Sequence, residues 1–251
     1  MRISYNNYID AIPASSITAL TEGIGFVVSN VQDQRLSTVW RSSTPTAQTV
    51  LINLGSAINI NTVAILAHNI SSVATITIDA NTTNSWGAPA TTKTITYNAG
   101  IMLNFFTSVS YQWWRFNISD PTNTDGYIEA GRLWIGDYID IDPSSLLDFS
   151  VRKIRNDRVS HGEGGQKFAS IGIGWKEFNL KFPYSSYTMV DKIETMYNTV
   201  GNHSSFIFCN FDTLRGYSLV EPTYCSITNT LDFRHLERMK FNYSLNLREE
   251  K

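Results

Sequence analysis

Apolar and polar residues alternate along most of the chain, and this two-residue period constrains the fold more than any other feature. Between positions 49 and 67, Val50, Ile52 and Leu54 lie at alternate positions, and after a Gly-Ser break the alternation resumes at Ile58 and Ile60. Successive side chains of a strand point to opposite faces of a sheet. The pattern therefore predicts strands with one buried and one exposed face.

Similar runs predict short strands joined by polar turns throughout the chain. Residues 81–90, 121–126 and 156–166 are predicted loops, rich in Gly, Pro, Asn, Asp, Ser or Thr. Short strands at this spacing are typical of β-sandwiches and jelly rolls. The predicted strands are 73–79, 92–97, 102–106, 111–118 and 128–135 in the first half, and 148–155, 168–173, 175–182, 205–210, 217–220, 224–229 and 239–247 in the second.

One segment, 186–200, has the period of a helix instead. Ser185 or Ser186 can cap its start, and Gly201 can end it in a left-handed conformation. Its apolar residues recur three or four positions apart and would form one face. They are Met189, Val190, Ile193, Met196, Tyr197 and Val200.

Charge divides the chain into two halves. Residues 1–142 hold 6 Lys and Arg against 10 Asp and Glu, whereas residues 143–251 hold 14 against 12. The strand pattern also lapses near Pro143, so we predict two domains, 1–142 and 143–251. Neither half is basic enough to indicate nucleic-acid binding.

Targeting signals and cysteines give further expectations. The first residues lack the apolar run of a signal peptide, and no apolar run approaches the ~20 residues of a membrane span. We therefore expect a soluble protein that folds in a cytoplasm. Cys209 and Cys225 could form one bridge, but the low cysteine content favours free, buried thiols.

Three ordered motifs in the first half resemble discoidin (coagulation factor 5/8 type C) and related carbohydrate-binding domains, over roughly 20–137. The resemblance implies an all-β fold that begins with a galactose-binding-like jelly-roll β-sandwich. It also implies one possible function, a carbohydrate-binding module for host-glycan attachment or enzyme targeting. The motifs are TVWRS at 38–42, Leu54-Gly55 followed by Ile60, Val63 and Ile65, and the pair WRFNI at 114–118 and YIEAGRLWI at 127–135.

The second half resembles the β-sandwich-plus-helix module of phage tail-tube and distal tail proteins, and stretches like NVQDQRLSTVWRS occur in phage tail and baseplate proteins. This resemblance implies a structural component of a phage tail tip or baseplate, located in the virion tail and assembled in the host cytoplasm. It implies a homo-oligomeric, hexameric ring that links the tail tube to hub or fibre proteins. This structural role is the interpretation we favour over glycan recognition.

Five residues near the discoidin-like motifs allow two interpretations. They could form a binding site, or they could be structural, with the tryptophan filling the sandwich core and the arginines paired with acidic neighbours. The structural interpretation is favoured because these positions lie in or beside strands of the family pattern. The residues are Trp40, Arg41, Arg115, Glu129 and Arg132.

Other residues are candidates for ligand or partner contacts. Trp86 lies in a Gly/Pro loop, where an exposed tryptophan can stack on a sugar or anchor an interface. Trp113 and Trp114 are adjacent, so only one of them can face the core, and we take Trp113 as the candidate contact. In the 156–166 loop region, which would contact a neighbouring subunit, the candidates are Arg155, Arg158, His161 and Glu163.

Catalytic motifs do not assemble in this sequence. There is no nucleophile elbow, zinc-protease motif, P-loop or dinucleotide fingerprint, and the four histidines have no metal-ligand spacing. We therefore predict a protein that is not an enzyme and needs no cofactor or metal. A glycosidase's pair of carboxylates cannot be recognised from one sequence, so hydrolysis stays open.

Overall fold

A computed structural model describes residues 1–141, 148–210, 222–236 and 240–251. The described chain forms two compact units. The N-terminal unit comprises Arg2–Ile139 with residues 209–210 and 222, and the C-terminal unit comprises most of the remainder. The predicted boundary at 142–143 lies outside the described residues and stays a prediction.

Eight strands build the N-terminal unit, in the order β6-β5-β7-β4-β8-β1, with β2 paired to β4 and β3 paired to β8. Short 3₁₀ helices occupy Tyr8–Ala11, Ala14–Ser16 and Val28–Gln32. The strands are β1 Arg2–Asn7, β2 Ile17–Ala19, β3 Trp40–Arg41, β4 Gln48–His68, β5 Thr75–Asn81, β6 Thr91–Thr94, β7 Met102–Ser119 and β8 Glu129–Asp140.

Two long antiparallel strands, β4 and β7, run through both layers of this sandwich. Their register shifts between Asn53 and Ile58, where Gly55 has a φ of +78°, and again between Ile60 and Thr62. Before the shifts β7 lies between β4 and β5, and after them β4 lies between β7 and β8. Bends of this kind are how strands turn the corner between packed sheets.

The core lies between these layers and follows the alternation predicted from sequence. Val50 and Ile52 of β4, Ile76 and Ile78 of β5, and Trp114 of β7 are buried in one hydrophobic cluster. All members of the cluster lie between positions 9 and 135, so this core is complete within the unit.

The C-terminal unit is a second antiparallel sheet with one helix. Its strand order is β13-β14-β16-β12-β9, with β15 paired to β16, and β10 and β11 form a separate hairpin. The strands are β9 Asp148–Arg155, β10 Arg158–His161, β11 Lys167–Ser170, β12 Gly174–Ser186, β13 Phe206–Cys209, β14 Thr223–Ile227, β15 Arg234–His235 and β16 Lys240–Glu249.

Helix α1, Tyr187–Val200, follows β12 directly. The Ser186 hydroxyl accepts a hydrogen bond from the Met189 backbone N–H at 3.3 Å, and Gly201, with a φ of +51°, ends the helix. The buried face consists of Val190, Ile193, Met196 and Val200, while Met189 and Tyr197 at its border are only partly buried. The predicted fold class, all-β with antiparallel sheets and one α-helix, is confirmed.

Some local predictions were wrong. The 156–166 segment is not a continuous loop, because Arg158–His161 pairs with Lys167–Ser170. Its residues are exposed on both faces and so lack the alternation that indicates a strand. The strands predicted at 102–106 and 111–118 are one strand, β7. The predicted strand 217–220 lies outside the described residues.

Cys209 and Cys225 are both buried, and no disulfide joins them. Burial raises the pKa of both thiols, which keeps them protonated and unreactive. Within the described residues, no helix has both the length and the apolar character to cross a membrane.

The helix face gives a stability prediction. Ile193→Asp places a carboxylate at a fully buried position and is expected to lower the free energy of unfolding by about 3 kcal/mol or more. Lys192→Asp introduces the same side chain at an exposed neighbour and is the matched control. Thermal and urea unfolding measure both variants, and an Ile193→Asp protein as stable as the control would contradict this packing.

The complete core of the N-terminal unit gives a second prediction. A protein consisting of residues 1–142 is expected to be soluble and to unfold in one cooperative transition, because its core needs no side chain beyond position 135. Circular dichroism during heating measures the transition. An aggregated product, or a broad melt without cooperativity, would show that the first half does not fold alone.

Candidate functional site

An open cleft of about 540 Å³ lies in the N-terminal unit, at the corner of the long strands. This volume is within the range of small-ligand sites. Ala57 and Ile58 of β4 supply apolar wall. The polar lining comes from the 3₁₀ helix after β1, the corner of β4, β7 and the last part of β8. These residues are Tyr8, Asn59, Asn61, Ser108, Asp137 and Tyr138.

Side-chain hydrogen bonds hold β1 beside β8 and so bring Tyr8 to Asp137. The Asn7 amide donates to the Leu133 carbonyl at 3.0 Å, and the Ser4 hydroxyl donates to the Asp137 carbonyl at 2.6 Å. Gly136 is required here, because a Cβ at this position would lie 2.1 Å from the Asn6 carbonyl oxygen. The glycine therefore lets the two backbones approach next to the cleft.

The Asp137 carboxylate is oriented through one of its two oxygens. Oδ1 accepts hydrogen bonds from the Asn6 amide at 3.1 Å and from the Tyr8 hydroxyl at 3.4 Å. Burial and the nearby Asp137 charge raise the pKa of Tyr8 to about 12, so its hydroxyl stays a donor at neutral pH. No described residue donates to Oδ2, which leaves a strong acceptor available to a ligand.

The neighbouring amides add donors and acceptors. Asn61 Oδ1 accepts from the Tyr138 backbone N–H at 3.1 Å and from the Thr62 hydroxyl at 3.0 Å, which fixes the amide and leaves its NH₂ group to donate. Asn59 and Ser108 are exposed. A ligand rich in hydroxyl groups could pair with all of these groups at once.

Tyr138, one of the residues that line the cleft, belongs to a cluster with another aromatic ring and an arginine. Tyr138 packs edge-on against Phe105, with ring centroids 4.9 Å apart. The Arg2 guanidinium lies 4.2 Å from the Tyr138 centroid and 4.8 Å from that of Phe105. These distances are typical of cation–π contacts.

A second polar cluster lies on the outer face of the sheet β6-β5-β7-β4. Arg115 donates to Asp79 Oδ2 at 2.7 Å, and the Trp86 ring lies 4.6 Å from the Arg115 guanidinium carbon. The Thr92 hydroxyl and the Asn117 amide also donate to Asp79, at 2.6 and 2.9 Å. Burial opposes ionisation of Asp79, but these hydrogen bonds outweigh it and lower the pKa of the carboxyl.

Both candidate tryptophans lie on this outer face. Trp113 and Arg115 alternate with the buried Trp114, and Trp113 pairs across the strands with Asn53 and Asn81. Trp86 and Trp113 are each half-buried. Trp86 therefore covers the Asp79–Arg115 pair, and the cleft is formed by other residues.

The remaining residues near the discoidin-like motifs have identifiable partners. Trp40 is fully buried, and its indole N–H donates to the Thr21 carbonyl at 3.2 Å. Arg41 pairs with Glu129 at 2.5 Å. Arg132, with a side chain only 1% exposed, pairs with Asp10, and burial raises the pKa of Asp10 to about 6 despite this opposing charge.

The predicted contact residues of the C-terminal unit lie on or beside the β10–β11 hairpin. Arg155 Nε is 3.1 Å from Asp157. Arg158, His161 and Glu163 are exposed. Large apolar side chains are exposed there too: Val159, Phe168, Ile171 and Ile173.

The sequence did not reveal Tyr8, Asn61, Asp137 or Tyr138 as site residues. They come from three elements that are more than 50 positions apart, and each is an ordinary residue for its strand or turn. A weak signal was available: the continuous apolar run Leu133–Ile135 of β8 is followed by Gly-Asp-Tyr, which places a carboxylate and an aromatic ring directly after it.

Among the described residues, no group of three or more His, Cys, Asp or Glu side chains is placed to hold a metal ion.

Comparisons with known proteins gave only structural similarities. No protein-family model and no curated protein sequence matches the chain. Chitosan-binding module 1 from a chitosanase/glucanase of Paenibacillus sp. IK-5 is 23% identical, with a TM-score of 0.40, and 52% of this chain covers 98% of that one. The family 32 carbohydrate-binding module of C. perfringens NanJ, solved with galactose, is 18% identical, with a TM-score of 0.41 and coverage of 55% and 100%. A Streptococcus pneumoniae fucose binding module is 10% identical, with a TM-score of 0.43 and coverage of 53% and 95%.

Proposed function

We propose that this chain is a saccharide-binding protein without catalytic turnover, and that its N-terminal unit holds the sugar in the Asp137 cleft. The observation that supports this most is Oδ2 of Asp137, which accepts no hydrogen bond from a described residue and belongs to a cleft that two tyrosines and two asparagines also line. Vicinal hydroxyls of a sugar need closely spaced acceptors and donors, and the apolar face of its ring packs well on aromatic side chains.

The charge of the cleft supports binding over hydrolysis. Among the described residues that line it, Asp137 is the one carboxylic acid. Glycosidases use two carboxyl groups that flank the bond to be cleaved, one of which acts as an acid. A single carboxylate can orient a sugar through its hydroxyls, so we assign the cleft to recognition.

Asp137→Ala tests this function. The variant loses the acceptor and is expected to bind saccharides about 10- to 100-fold more weakly, as is usual for hydrogen bonds to a charged group. Isothermal titration against neutral, amino and acidic oligosaccharides measures the affinities. Asp125→Asn, in the exposed β7–β8 connection, is the control and should bind like the parent.

Two results would contradict the proposal. A parent protein that binds no saccharide of the panel would refute saccharide recognition. An Asp137→Ala protein that binds as tightly as the parent, with an unchanged melting temperature, would place the sugar elsewhere.

A structural role in a phage tail is the second candidate function, and the exposed β10–β11 hairpin favours it. An isolated two-stranded hairpin is marginal in water, and this one leaves Phe168 58% exposed, with Ile171 beside it 81% exposed. Such apolar side chains on a projecting element are typical of interfaces. In this role the hairpin would pack on the next subunit of a ring that joins the tail tube to hub or fibre proteins. The protein would then be located in the virion tail and assembled in the host cytoplasm, with its N-terminal unit directed at host glycans.

Replacing the exposed apolar residues tests this assembly. The double variant Phe168→Ser, Ile171→Ser is expected to keep the parent's melting temperature, because these side chains are exposed in the monomer, and to form fewer oligomers. Ala169→Ser, exposed in the same strand, is the control. Sedimentation velocity across a concentration series measures the distribution. A parent that stays monomeric throughout, or a double variant that assembles like the control, would contradict the role.

A further inference from the structure

The C-terminal sheet ends on one side in a strand with an open edge. This strand, β9, is the last in the strand order and pairs only with β12, over its whole length and without a register shift. In an antiparallel pair, alternate residues direct their N–H and C=O groups away from the partner strand. Within the described chain, no other backbone group bonds to this outer edge. The edge can therefore form a further set of ladder bonds with an extended chain.

Most of the usual protections of an edge strand are absent from β9. Proteins protect such edges with proline, bulges, a covering element or charged side chains. β9 contains no proline and no bulge, and six of its eight residues are exposed. Val151, which lies opposite the buried Phe178, is itself 44% exposed. The protection that remains is charge, so an added strand must match that charge.

The unpaired charges of this edge are basic. The nearest acidic residues already have partners, in the ion pairs Asp148–Lys181 at 3.0 Å and Asp157–Arg155 at 3.1 Å. Arg152 and Lys153 have no acidic partner among the residues that the structure describes, and as neighbours in a strand they point to opposite faces. Lys153 also lies directly opposite Lys176 of β12. Like charges at opposite positions destabilise a sheet, and an acidic residue on an added strand would offset this repulsion.

A second copy of β9 does not fit this edge. Antiparallel pairing of the strand with itself, about a two-fold axis, would bring Arg152 and Lys153 of both chains close together. Like charges across a strand pair are destabilising, and basic residues on an edge strand are a common protection against self-pairing. An extended segment that carries acidic residues satisfies both the open backbone groups and the unpaired charges.

We propose that β9 is a docking edge for an extended acidic segment of another protein, which adds to the sheet as an antiparallel strand. Two consecutive acidic residues of this segment lie beside Lys153 and Arg152, one on each face of the sheet. Because the strands are antiparallel, the next residue of the segment lies beside Val151 and is apolar. In strand addition the main-chain hydrogen bonds supply affinity and the side chains supply specificity. The edge belongs to the C-terminal unit, so this inference does not depend on saccharide binding.

Charge recognition is tested with a synthetic peptide of eight residues, the length of β9, that alternates Thr and Val around a central Glu-Glu-Val. Isothermal titration of the full chain should show about tenfold weaker binding when Gln-Gln replaces Glu-Glu. The double variant Arg152→Glu, Lys153→Glu should lose the acidic peptide and bind a Lys-Lys peptide instead. Lys192→Glu, the same change on the exposed face of α1, is the control and should bind like the parent.

Strand addition is tested by N-methylation of alternate peptide residues, which removes their N–H donors. Methylation of the set that faces β9 should weaken binding by about tenfold or more, while methylation of the other set should change it by no more than about twofold. An equal effect of both sets would overturn strand addition.

Three further results would overturn the docking edge. The first is a parent protein that does not bind the acidic peptide, and the second is equal binding of the Gln-Gln peptide. The third is a parent that dimerises in sedimentation velocity and becomes monomeric in the double variant, because the occupant would then be a second copy. The double variant's melting temperature and its binding of the Lys-Lys peptide show whether it is folded.

Discussion

The continuous pairing of β4 with β7 is the interaction on which the rest of the N-terminal unit depends. Both strands contribute to both layers, so their alternating side chains must face one core on either side of the corner. A strand can do this only by breaking register, and the breaks at Asn53–Ile58 and Ile60–Thr62 leave residues 54–57 and Asn61 without partners on β7. The same corner exposes Asn59 and positions Asn61 beside β8, so the cleft is a consequence of closing the sandwich.

Buried polar groups fix this arrangement further. Arg132 is almost fully enclosed, and its pairing with Asp10 ties the segment after β1 to β8. Removing one partner of such a pair is costly because it leaves a buried charge uncompensated, although the pair itself adds little net stability. A second buried acid, Asp79, lies on the outer face of the sheet β6-β5-β7-β4, with a side chain only 7% exposed. It accepts hydrogen bonds from Arg115, Asn117 and Thr92, and Trp86 covers the group. These interactions specify one register of the strands around the site.

Local patterns predicted the fold well because their causes are local. Alternation identified the buried side of β4, β5 and β7, and the helical period with Ser186 and Gly201 identified α1 nearly to the residue. The sequence did not predict the fully exposed β10–β11 hairpin, because a strand with no buried face shows no alternation of apolar and polar residues. The sequence did not predict the cleft for a different reason. Tyr8 and Asp137 come together only because β1 packs beside β8, and no local sequence pattern indicates that long-range contact. The resemblance drew attention to tryptophans and arginines that have partners within the sheet, whereas the open acceptor belongs to an aspartate outside those motifs.

The proposed anchor of the ligand is one oxygen atom, Oδ2 of Asp137. The most direct measurement is a crystal structure of the protein with a bound oligosaccharide. We expect a sugar hydroxyl oxygen within hydrogen-bonding distance, about 3 Å, of Oδ2, with a pyranose ring against Tyr8 or Tyr138. A sugar bound instead over Trp113, or in the loops at the other end of the sandwich around Asp125, with the Asp137 cleft unoccupied, would contradict this expectation.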